Sequence, residues 1–310
     1  MYLFKNQLKS EDKEIIEKYL LNVFHESSAQ SFTSLYMWRD IHDFCWQEID
    51  GYLCIEGTYR PKQDEDLLLH YAFPPVPATG VYDILKLRNV CLKIKEIFEE
   101  AGEAFLIKRL PLPLLPYFQR AFPEAKFVDD RNYYDYLYNL KELAELKGKR
   151  LHGKKNHVNY FNRTFDYDVK MYDPSMAEEV LDLVDRINEK RNDSSEDMAA
   201  LSYERQGMVD VLRNSHELGY MGCGIYIRGR LEAFAVGGRL SHDTISEHIE
   251  KANVDYKGLY AVINQQFAML ALERGFEFVN REEDMGSENL RKAKLSYRPV
   301  KLVEKYEMTL

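Results

Sequence analysis

The order of predicted secondary structure is the same in both halves of this 310-residue chain, and it limits the fold more than any single motif. Each half shows two helical patterns, then strands joined by short turns, then one long helix and a further strand. The long helices are predicted over residues 81–100 and 258–274. This order predicts an α/β (α+β) fold with mixed, mostly antiparallel sheets flanked by helices. We expect two modules, residues 1–145 and 146–310.

One β-hairpin is predicted in each half. Asp50-Gly51 lies between the apolar runs FCWQEI and YLCIE, and both residue types tolerate the positive φ angles of a two-residue turn. Gly229-Arg230 has the same position between two apolar runs of the second half. Residues 244–251 then continue the sheet as a third strand. The final run, KLVEKYEMTL, is predicted to be one strand.

Composition excludes several classes of protein. The chain is 45% apolar, with 22 Tyr and 16 Phe, so it can bury a core without disulfides and is not disordered. No apolar stretch approaches the roughly 20 residues of a membrane span, and charges near the start precede any apolar run typical of a secretory signal. The four cysteines form no CxxC and no metal-ligand spacing. We expect a soluble, cytoplasmic chain with reduced thiols and no metal site.

One segment is strongly basic although the chain carries a net charge of -9. Between residues 147 and 163 there is no acid, and the cations are Lys147, Lys149, Arg150, Lys154, Lys155 and Arg163. The segment fits GxxxxGK, but it lacks the Ser or Thr that holds magnesium and follows a helical pattern, which disfavours a nucleotide triphosphatase. Two interpretations remain. The cations form either a solvated helix face or a clamp for the phosphates of a large anionic ligand.

The turn before the second long helix has a glycine in a chemically informative frame, Asp255 to Tyr260. GNAT-type acyltransferases bind the coenzyme A pyrophosphate at such a strand-to-helix turn, through the pattern Q/R-x-x-G-x-G/A. Gly258 supplies the central glycine, but Asp255 is acidic and Tyr260 is bulky where a small residue is needed. Coenzyme A is therefore disfavoured. Gly258 and Tyr260 either contact a different substrate or form a purely structural turn.

The sequence HIEKAN ends the third strand of the second half. Strict alternation would place His248 and Glu250 on one face of the strand, and Ile249 and Lys251 on the other. A buried glutamate at a strand end is suited to act as a general base for an attacking amine. The alternative is that Glu250 only forms a cross-strand ion pair.

The densest group of charges follows the next short strand, EFVN. It contains Asn280, Arg281, Glu283 and Asp284 and leads into a helix that carries Lys294. Open α/β sheets place ligands at the ends of their strands, and buried charges there need partners. These residues therefore form either a ligand site or a salt-bridged surface turn.

Four segments together resemble a known family: HIEKAN, YKGLYAVINQQFA, FVNREEDMGSENLRKAKLSYRP and, upstream, LHGKKNHVNYF. They resemble an uncharacterised bacterial family that shares the C-terminal domain of phosphatidylglycerol lysyltransferases. The resemblance implies two tandem GNAT-like modules, similar to those of Fem-type aminoacyltransferases. Those relatives pass an amino acid from aminoacyl-tRNA to an amine or a hydroxyl. The membrane-bound lysyltransferases also have a transmembrane region, which no segment of this sequence matches, so the resemblance alone does not assign lipid as the acceptor.

These observations predict an aminoacyl- or acyltransferase whose acceptor attacks the donor ester directly. Glu250 is the predicted base, and Arg281 or Lys251 is expected to stabilise developing negative charge. Glu283 and Asp284 are predicted to hold the α-ammonium of the donor. The remaining substrate-binding candidates are His248, Gly258, Tyr260, Asn280 and Lys294. The predicted contacts to donor phosphates are Arg150, Lys154, Lys155 and Arg163.

The predicted partners are tRNA, bound through the basic segment, and a small amine or hydroxyl acceptor. No cofactor is predicted. Aminoacyl-tRNA is the donor that the resemblance implies, and a coenzyme A ester is disfavoured. Two alternatives stay open: a non-catalytic binding or regulatory protein with the same fold, and a coenzyme A-dependent N-acyltransferase.

Overall fold

The computed structural model describes residues 2–23, 26–61, 67–190 and 195–310, without the side chains of 195–201 and 203. The chain divides into two compact units, Met1–Asp135 with Val303–Leu310, and Tyr136–Leu302. The division thus precedes the 145/146 boundary expected from sequence, and the last residues of the chain belong to the first unit. Within the described ranges, no helix has the length and apolar composition needed to cross a bilayer.

The first unit contains one mixed sheet with the strand order β1-β2-β3-β4-β6-β15-β7, and β5 pairs with β3. Its strands are β1 (Asn6–Gln7), β2 (Cys45–Ile49), β3 (Tyr52–Tyr59), β4 (Leu69–Ala72), β5 (Val76–Pro77), β6 (Leu106–Pro111), β7 (Lys126–Asp129) and β15 (Lys305–Thr309). Its helices are α1 (Lys13–Leu20), α2 (Phe32–His42), α3 (Ile84–Glu100) and α4 (Leu115–Ala121).

The sheet of the second unit has the order β14-β8-β13-β12-β11-β10-β9. Its strands are β8 (Asp135–Asn139), β9 (Asp168–Met171), β10 (Tyr220–Ile227), β11 (Arg230–Arg239), β12 (Thr244–Ala252), β13 (Phe278–Asn280) and β14 (Lys301–Val303). Its helices are α5 (Leu140–Glu145), α6 (His152–Thr164), α7 (Ala177–Glu189), α8 (Ser195–Arg213), α9 (Ser215–Leu218), α10 (Leu259–Glu273) and α11 (Glu288–Ser296).

The two sheets share a pattern of strand pairing. In each, successive strands form an antiparallel meander, β2-β3-β4 in the first and β10-β11-β12 in the second. A long helix then leads to a parallel neighbour, so that β4 pairs with β6 and β12 pairs with β13. The predicted fold class, mixed and mostly antiparallel sheets flanked by helices, is confirmed.

Both predicted hairpins form, but the second turn lies one residue earlier than expected. Asp50 and Gly51 have φ angles of 50° and 77°, as a two-residue turn requires. In the second hairpin, Arg228 and Gly229 have φ angles of 53° and 78°. Arg230 already pairs with the preceding strand, so it belongs to β11 rather than to the turn.

The final run of the chain forms two strands in different sheets, which corrects the prediction of one strand. Strand β14 is part of the second sheet, whereas β15 lies between β6 and β7 in the first. A buried ion pair fixes β15, because Lys305 Nζ lies 2.6 Å from Asp135 Oδ1. Asp135 also accepts a hydrogen bond from the Ser28 backbone at 2.8 Å, which satisfies the second carboxylate oxygen.

The core of the second unit lies between helix α10 and the sheet. Apolar residues of α10, among them Val262, Ile263 and Phe267, belong to the same buried cluster as Ile225 and Ile245 of the strands. Helices α5 and α6 contact α10 as well, which brings the basic segment next to the start of that helix. Helix α10 therefore packs on the sheet, and α5 and α6 pack against α10.

Gly258 shows how closely α6 and α10 approach each other. Its φ is 97°, and a Cβ atom added there would lie 2.6 Å from the His157 carbonyl oxygen of α6. Gly275, just after α10, has a similar φ of 87° but nothing within 4 Å of an added Cβ. Both glycines thus have a positive φ angle, but only Gly258 is packed against another helix.

We expect Gly258→Ala to destabilise the chain more than Gly275→Ala. Both changes force an alanine into the left-handed region at a cost of about 1 kcal/mol, and overpacking adds about 1–3 kcal/mol at Gly258 only. Urea unfolding of the two variants measures the difference. Equal losses of unfolding free energy would contradict the packing argument.

Candidate active site

A buried arginine lies at the centre of the candidate site. Arg281, directly after β13, donates from Nε to Glu247 Oε2 at 2.5 Å, and its Nη2 lies 2.9 Å from Glu250 Oε2. The three side chains are almost fully buried. Burial alone would lower the pKa of Arg281, but Glu250 and Glu247 raise it well above the usual value. The guanidinium therefore stays charged and holds two carboxylates together.

A β-bulge places both glutamates on the same face of β12. Val236 pairs with Ile249, but the next residue, Gly237, pairs with Glu247, so that His248 is the extra residue. The bulge corrects the expectation of strict alternation, because Glu250 shares its face with Glu247 and not with His248. A glycine at position 237 permits this close approach of the two strands, because a Cβ atom added there would lie 2.2 Å from the Ser246 carbonyl oxygen of β12.

The pKa of Glu247 is raised by its surroundings. Burial raises the pKa of Glu247, Arg281 opposes that effect, and the neighbouring Glu250 raises it further, to about 8. The direction follows from two carboxylates that share one guanidinium away from water. Glu247 therefore binds a proton more readily than a glutamate in water does.

Four further side chains of the second unit lie close to these ions, on α10, on β8, after α11 and on α6. Asn264 of α10 donates from Nδ2 to Glu250 Oε2 at 3.0 Å. The guanidinium carbon of Arg281 lies 5.8 Å and 5.0 Å from the ring centres of Tyr138 and Tyr297. Lys154 of α6 places its Nζ 3.8 Å from the centre of the Tyr297 ring. We call Glu247, Glu250, Asn264, Arg281 and Lys154 the Arg281 cluster.

Lys154 differs from the other cations of its segment. Burial lowers the pKa of Lys154 to about 8, and the nearby Arg281 lowers it as well. Arg150, Lys155 and Arg163 are exposed. The structure therefore brings one predicted phosphate contact to the Arg281 cluster and leaves three on the outer surface of the segment.

The loop after Arg281 is fixed by its own ion pair. Asp284 is fully buried and accepts from Arg291 at 2.8 Å and 2.9 Å, from the Gly286 backbone at 2.9 Å and from the Tyr136 hydroxyl. Burial alone would raise the pKa of Asp284, but these hydrogen bonds lower it. The Asp284 carboxylate is thus occupied by groups of the protein, which does not support its predicted contact with an ammonium group.

The side chains of Lys294 and Asn280 also form hydrogen bonds with the backbone of this loop. Lys294 Nζ donates to the Arg281 carbonyl oxygen at 2.6 Å and to that of Glu283. Asn280 is buried, and its Oδ1 accepts from the Glu282 backbone at 2.7 Å. Both side chains therefore position the segment that carries Arg281 and Glu283.

Two predicted site residues of β12 make contacts elsewhere. His248 Nδ1 lies 2.7 Å from Glu282 Oε1, and Lys251 Nζ lies 2.7 Å from Glu204 Oε2 of α8. His248 is thus held by the loop that follows β13, and Lys251 is held by helix α8. Lys251 and Arg281 therefore pair with acids on different elements, Glu204 of α8 and Glu247 of β12.

The turn that contains Gly258 satisfies several of its own N–H groups. The Asp255 backbone donates to Asn253 Oδ1 at 3.1 Å, and the Leu259 backbone donates to the Tyr256 carbonyl at 3.0 Å. The Cβ direction of Gly258 is filled by α6. Tyr260 is exposed on the first turn of α10. This turn is therefore packed and internally bonded, unlike a loop that cradles a pyrophosphate.

Two residues of the cluster, Glu247 and Asn264, were not predicted from sequence, and neither were the neighbouring Tyr138 and Tyr297. Glu247 was missed because a bulge cannot be read from alternation alone. The pair Gly237-Gly238 in the facing strand is the available signal, since glycines inside a strand often mark a bulge or a close approach. Asn264 begins a run of three polar residues in a mostly apolar helix, and its partner Glu250 lies on another element.

Solved structures of similar fold are known. A conserved protein of unknown function from Bacteroides thetaiotaomicron is 31% identical, with a TM-score of 0.86 and full coverage of both chains. L-PGS from Bacillus licheniformis is 13% identical, with a TM-score of 0.66, over 100% of this chain and 94% of that one. FemX is 10% identical, with a TM-score of 0.63, over 98% and 96%. These likenesses confirm the tandem GNAT-like fold shared with Fem-type proteins.

Sequence comparison gives a curated relative and a family. An uncharacterised protein from Mycoplasmoides gallisepticum is 24% identical over 173 residues, which is 56% of this chain. The match spans about half of that relative, 54% of its length. The family model described as "Phosphatidylglycerol lysyltransferase, C-terminal" matches residues 22–309. The fold, the resemblance of the motifs and this match agree, and the chain belongs to that family.

Proposed function

We propose that the chain is an aminoacyl- or acyltransferase that passes an acyl group from a donor ester to an amine or a hydroxyl. The observation that carries this proposal is the Arg281 cluster, in which a buried guanidinium, two carboxylates and a lysine of lowered pKa adjoin one another. The family description names a lysyltransferase, which is a transfer of the same class. Clustered groups of perturbed pKa are typical of catalytic sites.

The proposed reaction needs no covalent enzyme intermediate. The acceptor nitrogen or oxygen forms a bond to the ester carbonyl carbon, and the bond from that carbon to the donor oxygen breaks. The acceptor loses one proton and the leaving oxygen gains one, so the reaction is balanced without a further reactant. Arg281 is suited to stabilise the negative charge that develops on the carbonyl oxygen.

Glu250 is the proposed base or amine-positioning carboxylate. Arg281 and Asn264 both donate to its Oε2 atom, and its side chain keeps 11% exposure. These contacts fix the carboxylate while leaving part of it accessible to an acceptor. Lys154, with a pKa of about 8, is a second group that can carry a proton near neutral pH.

Aminoacyl-tRNA is the proposed donor. The exposed cations Arg150, Lys155 and Arg163 belong to the same segment as Lys154, which reaches the Arg281 cluster. A polyanion bound along this segment would have its acylated end near Arg281. A coenzyme A ester is less well supported, because the Gly258 turn is internally bonded and begins with Asp255.

Glu250→Gln is expected to reduce transfer by about 100-fold, because the amide cannot accept a proton from the acceptor. Its unfolding free energy should change by about 1 kcal/mol, as for most single substitutions. The measurement is transfer of a labelled amino acid from charged tRNA to a panel of amines, hydroxyls and phosphatidylglycerol. The matched control is Glu273→Gln, an exposed glutamate at the end of α10.

Full transfer by Glu250→Gln would reject Glu250 as the base. Binding of charged tRNA by the wild-type chain without transfer to any acceptor would instead favour the non-catalytic binding protein.

The double variant Arg150→Gln, Lys155→Gln is expected to weaken tRNA binding and to lower the slope of log affinity against log salt by about 2, roughly 1 for each lost phosphate contact. Fluorescence anisotropy at several salt concentrations measures both quantities. Lys292→Gln, an exposed lysine of α11, serves as the control. Unchanged affinity and slope in the double variant would reject tRNA binding by this segment.

A further inference from the structure

An exposed tyrosine lies within the basic face of helix α6. Tyr160 keeps 39% of its surface exposed, and the sequence from residue 147 to residue 163 contains no acid. His157 precedes Tyr160 by three residues, Arg163 follows it by three, and both are exposed. Residues three apart on a helix are neighbours on its surface. The ring therefore lies between two basic side chains.

The turn before α10 adds a cation beside this ring. Lys257 is exposed, and its Nζ lies 5.3 Å from the centre of the Tyr160 ring. The close approach of Gly258 to the His157 carbonyl holds this turn against α6. Asp255, the acid of the same turn, pairs with Lys190. Cations from two elements thus lie beside one aromatic ring.

Tyr160 contributes to the surface of the helix rather than to the core. Val158 and Phe161 are the buried residues of α6 and belong to the core cluster of the second unit. They hold the helix in place, while Tyr160 remains accessible to a partner. A single exposed aromatic side chain is common and needs no explanation by itself. Its position among cations is the observation that points to a ligand.

The combination of a π face and cations matches single-stranded nucleic acid. Proteins that bind single strands stack bases on aromatic side chains and contact the backbone with basic groups. Bases inside a duplex are already stacked on their neighbours, so an exposed ring can receive only an unpaired base.

A membrane surface fits this face less well. An interfacial helix buries a continuous apolar face among lipids. Within α6, all of which the structure describes, Tyr160 is the one large apolar side chain that is exposed. One isolated ring can form a stacking contact, but it does not form an apolar face.

We propose that Tyr160 is a stacking platform for an unpaired base of an RNA, and that Arg163 and Lys257 contact the adjoining phosphates. Arg163 is oriented by its Nε, which donates to the Asn159 carbonyl oxygen at 3.1 Å. The inference rests on the proposed function and deepens it, because transfer RNA carries unpaired nucleotides next to its acylated end. Stacking tolerates every base, so the platform would add affinity without selecting a sequence.

The first test compares three variants at position 160 by fluorescence anisotropy with a labelled single-stranded RNA of about 12 nucleotides. Tyr160→Ala and Tyr160→Leu lack the aromatic ring, and each should bind about tenfold more weakly than the wild-type chain. Tyr160→Phe keeps the ring and should bind within about twofold of the wild type. Wild-type affinity in Tyr160→Leu would overturn the proposal even where Tyr160→Ala fails to fold. Absence of RNA binding by the wild-type chain would overturn it as well.

The salt dependence of binding separates stacking from charge. Loss of a stacked base releases no counterion, so Tyr160→Ala should keep the wild-type slope of log affinity against log salt. Arg163→Gln should lower that slope by about 0.7, as one lost phosphate contact on a single strand predicts. A slope lowered in Tyr160→Ala as in Arg163→Gln would contradict a stacking role.

Two further probes identify the partner. The same RNA annealed to its complement should bind Tyr160→Ala and the wild-type chain with equal affinity, because its bases are paired. An equal loss of affinity for the single strand and the duplex would contradict the proposal. Binding to phosphatidylglycerol vesicles that depends on Tyr160, without binding to RNA, would assign this face to a membrane surface instead.

Tyr117→Ala is the matched control. Tyr117 belongs to α4 of the first unit and has nearly the same exposure, 38%. Its removal should leave RNA binding unchanged, since the basic segment belongs to the second unit. A loss equal to that of Tyr160→Ala would show that the assay responds to any exposed tyrosine and would contradict the assignment.

The RNA-binding tests and the transfer assay fail separately. Tyr160-dependent RNA binding without transfer to any acceptor would support the platform and contradict the proposed transferase. Transfer from charged tRNA at limiting concentration that Tyr160→Ala leaves unchanged would contradict only the platform.

Discussion

The pairing of one buried guanidinium with two carboxylates is the constraint on which the rest of the second unit depends. Taking Arg281, Glu247 and Glu250 out of water costs several kcal/mol per ion unless each charge finds a partner at hydrogen-bond distance. That requirement fixes where β12 lies relative to the end of β13. Asp284 and Arg291 pair with each other in the loop that follows, and Lys294 donates to the carbonyl oxygen of Arg281. These contacts hold the backbone of Arg281 in place, so they help to keep its guanidinium beside the two carboxylates. Such a site is preorganised by the fold.

The fold class was predictable because it is encoded in local patterns. Two halves with the same order of helices and strands, and a turn such as Asp50-Gly51, indicate mostly antiparallel sheets without knowledge of long-range contacts. The site was only partly predictable. Arg281 and Glu250 were identified by type and position, but whether Glu250 faces Arg281 depends on the bulge at His248. Lys154 was predicted as part of a basic surface, and its position over Tyr297 depends on a contact between distant segments.

The two units share a topology but differ in the residues at the end of the parallel strand pair. In the second unit, the arginine after β13 has acidic partners on β12. In the first unit, Arg109 near the end of β6 lies 3.8 Å from the centre of the Tyr133 ring. Strand β4 ends at Ala72 and is followed by Phe73 and two prolines, so it offers no matching pair of acids. Repeated topology therefore does not imply a repeated site.

The return of the last strand to the first sheet affects how the chain must fold during synthesis. Strand β15 separates β6 from β7, and it follows the whole second unit along the chain. Until β15 is synthesised, β6 and β7 present unpaired edges, which are the surfaces most prone to intermolecular pairing. Translation must therefore pass through the whole second unit before the first sheet can close, and a truncated product would keep both edges open.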